Sequence, residues 1–158
     1  MRYSAYGKTH VGKVRDHNED SFFVSDDSGF FIVADGMGGL AAGEVASQIA
    51  KDTISKALKK NGDSSTPYDR VLRQAIEDAN ARVREALVEN PSARGMGSTC
   101  VVLAFKDSDF YIAYVGDSRI YLFRNHHLKQ ITRDHSYVEE LFLRGLITAE
   151  EKVDHPYK

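Results

Sequence analysis

An α+β sandwich is the fold class this sequence predicts. Three features of the pattern carry the prediction. Short apolar runs of strand type come first, two long amphipathic helices follow, and a series of short strands with tight breaks comes after them. Ser21 to Val24 and Phe30 to Ala34 flank the turn Asp26-Asp27-Ser28-Gly29, which reads as a hairpin. The first helix shows as a stripe of Ala42, Val45, Ala46, Ile49, Ala50, Thr53, Ile54, Ala57 and Leu58, ending near Asn61-Gly62. Leu72, Ala75, Ile76, Ala79, Val83 and Leu87 form the stripe of the second. That helix opens at Thr66-Pro67-Tyr68-Asp69, with Thr66 as cap and Pro67 in the first turn, and closes at Asn90-Pro91.

Beyond the helices, Thr99 to Phe105, Phe110 to Val115, Arg119 to Phe123 and Leu128 to Thr132 read as strands. The breaks Lys106-Asp107-Ser108-Asp109, Gly116-Asp117-Ser118 and Arg124-Asn125-His126-His127 are too short for parallel crossovers, so the strands form an antiparallel meander. Short helices follow at Tyr137 to Leu143 and Thr148 to Val153, split by Gly145. No repeat, low-complexity tract or domain linker interrupts the 158 residues, which suits one domain.

Composition narrows the function. An apolar fraction of 42% with 28% charged residues belongs to a folded globular chain. A net charge of −2 offers neither a nucleic-acid stripe nor a polybasic membrane anchor. Cys100 is the only cysteine and sits in an apolar run, so it reads as core, with no internal disulfide and no cysteine zinc site. The histidines at 10, 17, 126, 127, 135 and 155 show no zinc-motif spacing, and His126-His127 falls in a hairpin turn. With no signal-peptide pattern at the start and no apolar stretch of membrane length, the expected compartment is the cytoplasm.

The most informative stretch is Phe30-Phe31-Ile32-Val33-Ala34-Asp35-Gly36-Met37-Gly38-Gly39. A buried strand delivers an acid to a glycine-rich rim. A second acidic cluster, Arg15-Asp16-His17-Asn18-Glu19-Asp20, precedes the first strand, and Asp117 stands at the end of a third. Taken singly, each is an ordinary turn or a solvated loop. Together they put acids at the ends of three strands. Two carboxylates about 4 Å apart repel by roughly 4 kcal/mol at an effective dielectric near 20, which a proton or a cation relieves. Oxygen-only ligands favour hard ions such as magnesium or manganese.

These clusters, together with Gly97-Ser98-Thr99 and Thr132-Arg133-Asp134-His135-Ser136, resemble in type and order the motifs of the metal-dependent protein phosphatases of type 2C. Met37 between the glycines is similar to the bacterial branch. The resemblance implies a four-layer α-β-β-α sandwich of two antiparallel sheets flanked by helices, and hydrolysis of phosphoserine and phosphothreonine in proteins by water activated between two manganese or magnesium ions. It implies Glu19 and Asp35 as metal ligands, with Asp35 bridging both ions and the Gly36 carbonyl on one. It further implies Asp20 as the holder of metal-bound water, Arg15 as the phosphate grip and catalytic residue, and Asp117 at a third ion. Residues 133–158 would begin a flap beside the cleft. A phosphorylated protein substrate and an opposing Ser/Thr kinase follow from the same likeness.

The family pattern continues with strands and aspartates past the last residue here. Residues 1–158 are therefore expected to be a type-2C-like domain without its C-terminal strands, weakly active or inactive alone and open to dimerisation or strand exchange. Two other readings stay open. One is a non-catalytic phosphatase-like module that binds phosphoprotein. The other is nucleotide binding, because Gly36-Met37-Gly38-Gly39-Leu40-Ala41 fits G-x-G-x-x-A. Against the latter, Asp35 would repel a pyrophosphate, and the following helix leads to another helix rather than to a parallel strand.

Overall fold

The structure, a computed structural model, describes residues 3–38, 42–61 and 65–157. Gly39, Leu40 and Ala41 of the glycine-rich segment and the helix stop at Gly62 lie outside the described residues. The chain forms two compact units, Met1–Tyr114 and Val115–Lys158.

In the first unit, β1 (Asp20–Phe23), β2 (Phe30–Met37), β4 (Cys100–Lys106) and β5 (Asp109–Val115) lie side by side in that order, and β3 (Gly97–Ser98) pairs with β2. The pairings of β1, β3 and β4 with β2 are all antiparallel. Side-chain alternation along β2 is strict. Phe30, Ile32, Ala34 and Gly36 are buried, while Val33, Asp35 and Met37 are exposed. The buried face packs under α1 (Ala42–Asn61) and α2 (Tyr68–Glu89). Ile54, Leu58 and Leu72 from the helices close on Phe30, Ile32 and Val102 of the sheet, each such burial stabilising by about 1.5–3 kcal/mol. Burial pushes the Cys100 thiol up to about 12, which keeps it a neutral core residue.

In the first unit the elements depart from the sequence reading most clearly in three places, and in the second the strands expected at Arg119 to Phe123 and Leu128 to Thr132 lie at Tyr121–Arg124 and His127–Gln130. β2 runs three residues past Ala34, because Gly36 and Met37 find partners in Ser98 and Gly97 of β3. Asp35 therefore lies inside the strand and not at its end. Pro67 is the N-cap of α2 rather than its first residue, which leaves Thr66 one position outside the cap. The buried line of α1 includes Gly43 and Ser47, whereas Val45 is 50% exposed. Gly43 and Ser47 carry no hydrophobic signal but face the sheet. Among the described residues no parallel βαβ crossover occurs, since α1 leads into α2.

In the second unit, β6 (Tyr121–Arg124) and β7 (His127–Gln130) form a hairpin. Its two-residue loop, Asn125 and His126, has φ of 51° and 61°, the left-handed pair that matches strand twist. Two short helices follow. Ser136 caps α3 (Tyr137–Leu143) by accepting the Glu139 amide, and Thr148 with Glu151 forms a reciprocal capping box on α4 (Ala149–Val153). Gly145, at φ 69°, breaks the chain between them. No helix among the described residues is long and apolar enough to cross a membrane.

Candidate active site

The hairpin register sets Asp20 directly opposite Asp35. The Gly36 amide donates to the Glu19 carbonyl at 3.1 Å, so the neighbouring Glu19/Gly36 position is a hydrogen-bonded one. Alternation then makes Asp20/Asp35 a non-hydrogen-bonded pair, the type in which side chains stand closer, with Cα atoms about 4.5 Å apart. Both carboxylates lie on the exposed face of the sheet, away from the helices. Like charges directly opposite destabilise a sheet. This pair is the strongest sign that the site is built for a cation. The sequence holds a usable clue to it, because a four-residue turn at 26–29 pairs 25 with 30, and counting back pairs 20 with 35.

Each of these acids is held by groups the sequence reading gave no role. Thr9 Oγ1 donates to Asp20 Oδ2 at 2.8 Å, and Asn18 Nδ2 donates to Thr9 Oγ1 at 2.8 Å. The Asp20 amide returns to Asn18 Oδ1 at 3.1 Å. Thr99 pins the main chain of Asp35 from the other side. Its hydroxyl accepts the Asp35 amide at 3.0 Å, and its own amide donates to the Asp35 carbonyl at 2.8 Å. Ser98 Oγ adds a bond to the same carbonyl at 3.2 Å. The Gly97-Ser98-Thr99 motif thus works as a backbone clamp on Asp35.

Gly36 and Gly43 let strand β2 and the first turn of α1 touch. A Cβ on Gly36 would fall onto the Gly43 carbonyl. A Cβ on Gly43 would stand 2.5 Å from Glu19 Oε1, so the Glu19 carboxylate lies against the start of α1, where the helix dipole favours a negative charge. The register therefore brings Asp20 and Asp35 together on one face, with the Glu19 carboxylate against Gly43. Arg15 is exposed in the irregular segment ahead of β1.

Asp117 belongs to the second unit, exposed just after Gly116, whose φ is 96°. A cavity of about 330 Å³ there is lined by Asp117, Arg119, Asp134, Ser136, Val138 and Lys152. The hydrogen bonds of the Arg119 guanidinium hold the Asp134 carboxyl below its ordinary value, which makes it a fixed anion and not a base.

The donors on the Asp20/Asp35 face are carboxylate oxygens, the chemistry of a hard divalent ion. Among the described residues no three of His, Cys, Asp and Glu converge on one point. An ion held at Asp35 would complete its shell with water or with further oxygens.

The chain is similar to known proteins over most of its length. The serine/threonine phosphatase stp of Listeria monocytogenes is 40% identical over 156 residues, covering 96% of this chain and 62% of that protein. The crystal structure of the Mycobacterium tuberculosis serine/threonine phosphatase PstP/Ppp matches with a TM-score of 0.83 at 35% identity, over 92% of this chain and 60% of that one. The catalytic domain of PstP in complex with 2 manganese ions matches with a TM-score of 0.75 at 37% identity, over 89% of this chain and 59% of that one. The chain spans about three fifths of the length of each of these relatives. Residues 6–153 match the family description Protein phosphatase 2C. A match over nearly the whole chain, on a fold that sets two acids face to face, places this chain in the Protein phosphatase 2C family.

Proposed function

We propose that the protein is a metal-dependent phosphatase that removes phosphate from phosphoserine and phosphothreonine in proteins. The observation that carries the reading is the Asp20/Asp35 pair, two like charges set opposite each other on an exposed sheet face. In this reading β1, β2, β4 and β5 supply one of the two sheets of an α-β-β-α sandwich, and residues 133–158 form a flap.

Asp35 and the Gly36 carbonyl would hold manganese or magnesium, with Glu19 as a further oxygen ligand and Asp117 for an additional ion. When bound, two such ions supply the Lewis acidity that makes water nucleophilic near neutral pH. Asp20 would orient that water through its carboxylate. The Arg15 guanidinium grips the substrate phosphate through paired N–H donors. Met37 is 61% exposed, and its thioether cannot donate a proton, so it does not serve the leaving serine or threonine oxygen as an acid. Cys100, buried and neutral, plays no part as a nucleophile.

The test is phosphate release from phosphoserine and phosphothreonine peptides with and without Mn2+. Turnover that appears with Mn2+ and disappears on chelation supports the reading. Turnover that survives chelation, or a preference for phosphotyrosine peptides, would overturn it.

A further inference from the structure

The N-terminal segment 3–9 is not a strand, yet it alternates strictly. Tyr3, Ala5, Gly7 and Thr9 are half-buried, and Ser4, Tyr6 and Lys8 are exposed. It is anchored at its start by the Tyr3 ring, which lies 5.5 Å from the Phe105 ring and 5.7 Å from the Phe31 ring. The Ala5 amide donates to Asp26 Oδ1 at 2.8 Å. At Gly7 the segment presses onto the sheet, where an added Cβ would stand 2.5 Å from Phe22 Cε2 and 2.8 Å from Val24 Cγ2. Two residues on, Thr9 meets Asp20, which is two residues back from Phe22 on the same face. The segment therefore runs antiparallel along β1, and period-two spacing carries the Gly7/Phe22 contact into the Thr9/Asp20 contact.

The proton arrangement at Thr9 is determined by its partners. Asn18 Nδ2 can only donate, so Thr9 Oγ1 accepts there, and its single hydroxyl proton is left for Asp20 Oδ2. Asn18 Oδ1 accepts the Asp20 amide, which closes the ring and fixes the Asn18 amide orientation. A carboxylate held at one oxygen by a donated hydrogen bond keeps a fixed plane and offers its other oxygen in a fixed direction.

We propose that Thr9 is a positioning residue for Asp20, set in register by the close approach of Gly7 to Phe22 and locked by Asn18. The role in turnover rests on the phosphatase reading above; the role in metal binding rests only on Asp20 and Asp35 sharing a face. Thr9 acts through Asp20 and not on substrate, so its loss should lower kcat and metal affinity while leaving the substrate KM in place.

The experiment compares wild type, Thr9→Val and Thr9→Ser by Mn2+ titration calorimetry on the metal-free protein and by steady-state kinetics on a phosphoserine peptide. Thr9→Val keeps the shape and removes the donor. It is expected to weaken Mn2+ binding and lower kcat by about tenfold each, with KM changed by less than about twofold. Thr9→Ser restores both, because it returns the hydroxyl. Asn18→Ala breaks the same ring from the other side and carries the same test if Thr9→Val does not fold. Wild-type Mn2+ affinity in folded Thr9→Val, or no recovery in Thr9→Ser, overturns the proposal. If wild type bound Mn2+ and lost affinity on Thr9→Val yet never released phosphate, the phosphatase reading would fall and the positioning role would stand.

Discussion

Arg119 and Asp134 are locked in a two-point fork, with Nε donating to Oδ1 at 2.9 Å and Nη2 to Oδ2 at 2.5 Å. The fork ties the turn that carries Asp117 to the segment that opens α3. Around it the Gly116 carbonyl accepts the His135 amide at 2.9 Å, and Thr132 Oγ1 accepts the Ile120 amide at 3.1 Å. Two motifs that the sequence shows thirteen or more residues apart are thus one structural knot. Lysine keeps the charge of Arg119 but cannot make the fork. Arg119→Lys is expected to destabilise the second unit by about 1 kcal/mol, a modest value because the Arg119 side chain is 43% exposed and partly screened. Urea unfolding followed by hydrogen exchange at residues 131–137 measures it; unchanged protection there would argue against the knot.

The same pair sets an acid limit. Hydrogen bonding from Arg119 lowers the Asp134 carboxyl below its ordinary value, against the opposing effect of burial. A group whose folded value is depressed contributes stability that is complete above its unfolded value, about 3.9, and is lost as pH falls through the lower folded value. Wild type should therefore exceed Asp134→Asn in stability at neutral pH, and the gap should close as pH drops below about 4. Urea midpoints of both proteins across that range give the answer. A gap independent of pH would mean the carboxylate charge is not what binds.

How much of this was legible in the sequence depends on the range of the contact involved. The apolar run at Phe30 to Ala34 and the stripes at Ile54 and Leu72 are local patterns, and they placed the core correctly. The extension of β2 through Gly36 was not legible, because its partner Gly97-Ser98 lies some sixty residues away and carries no strand propensity. Thr9 escaped notice for a related reason. A lone threonine in an irregular segment gives no signal until Gly7 is seen pressed on Phe22. The acids themselves were legible as residue types, but their pairing is a matter of register, and register is set by turn length.

Gly36 should tolerate no side chain. A Cβ there falls onto the Gly43 carbonyl, a main-chain group, and also lies 2.8 Å from the Glu19 carbonyl. No side-chain rotation relieves such a clash, so β2 and α1 must separate. Gly36→Ala is expected to lose at least about 2–3 kcal/mol, or to fail to fold. By contrast, the Cβ of Gly95 would meet nothing within 4 Å, though its φ of 88° strains any other residue. Gly95→Ala should therefore lose only about 1 kcal/mol. Thermal melts of the two variants side by side test whether close approach or backbone conformation dominates.

Asp35→Asn should move stability and metal binding in opposite directions. The bonds that hold residue 35 from Thr99 and Ser98 use its main chain, so asparagine keeps them. The substitution also removes one of two like charges facing each other across the β1–β2 register. Without metal, the variant should be more stable than wild type by about 0.2–1 kcal/mol. With Mn2+, wild type should gain stability through ligand linkage and the variant should not, because its affinity falls by more than about 100-fold. Melting curves of both proteins with and without Mn2+ read all four states. An aspartate serving only as a strand residue would give two parallel pairs of curves, with no crossing when metal is added.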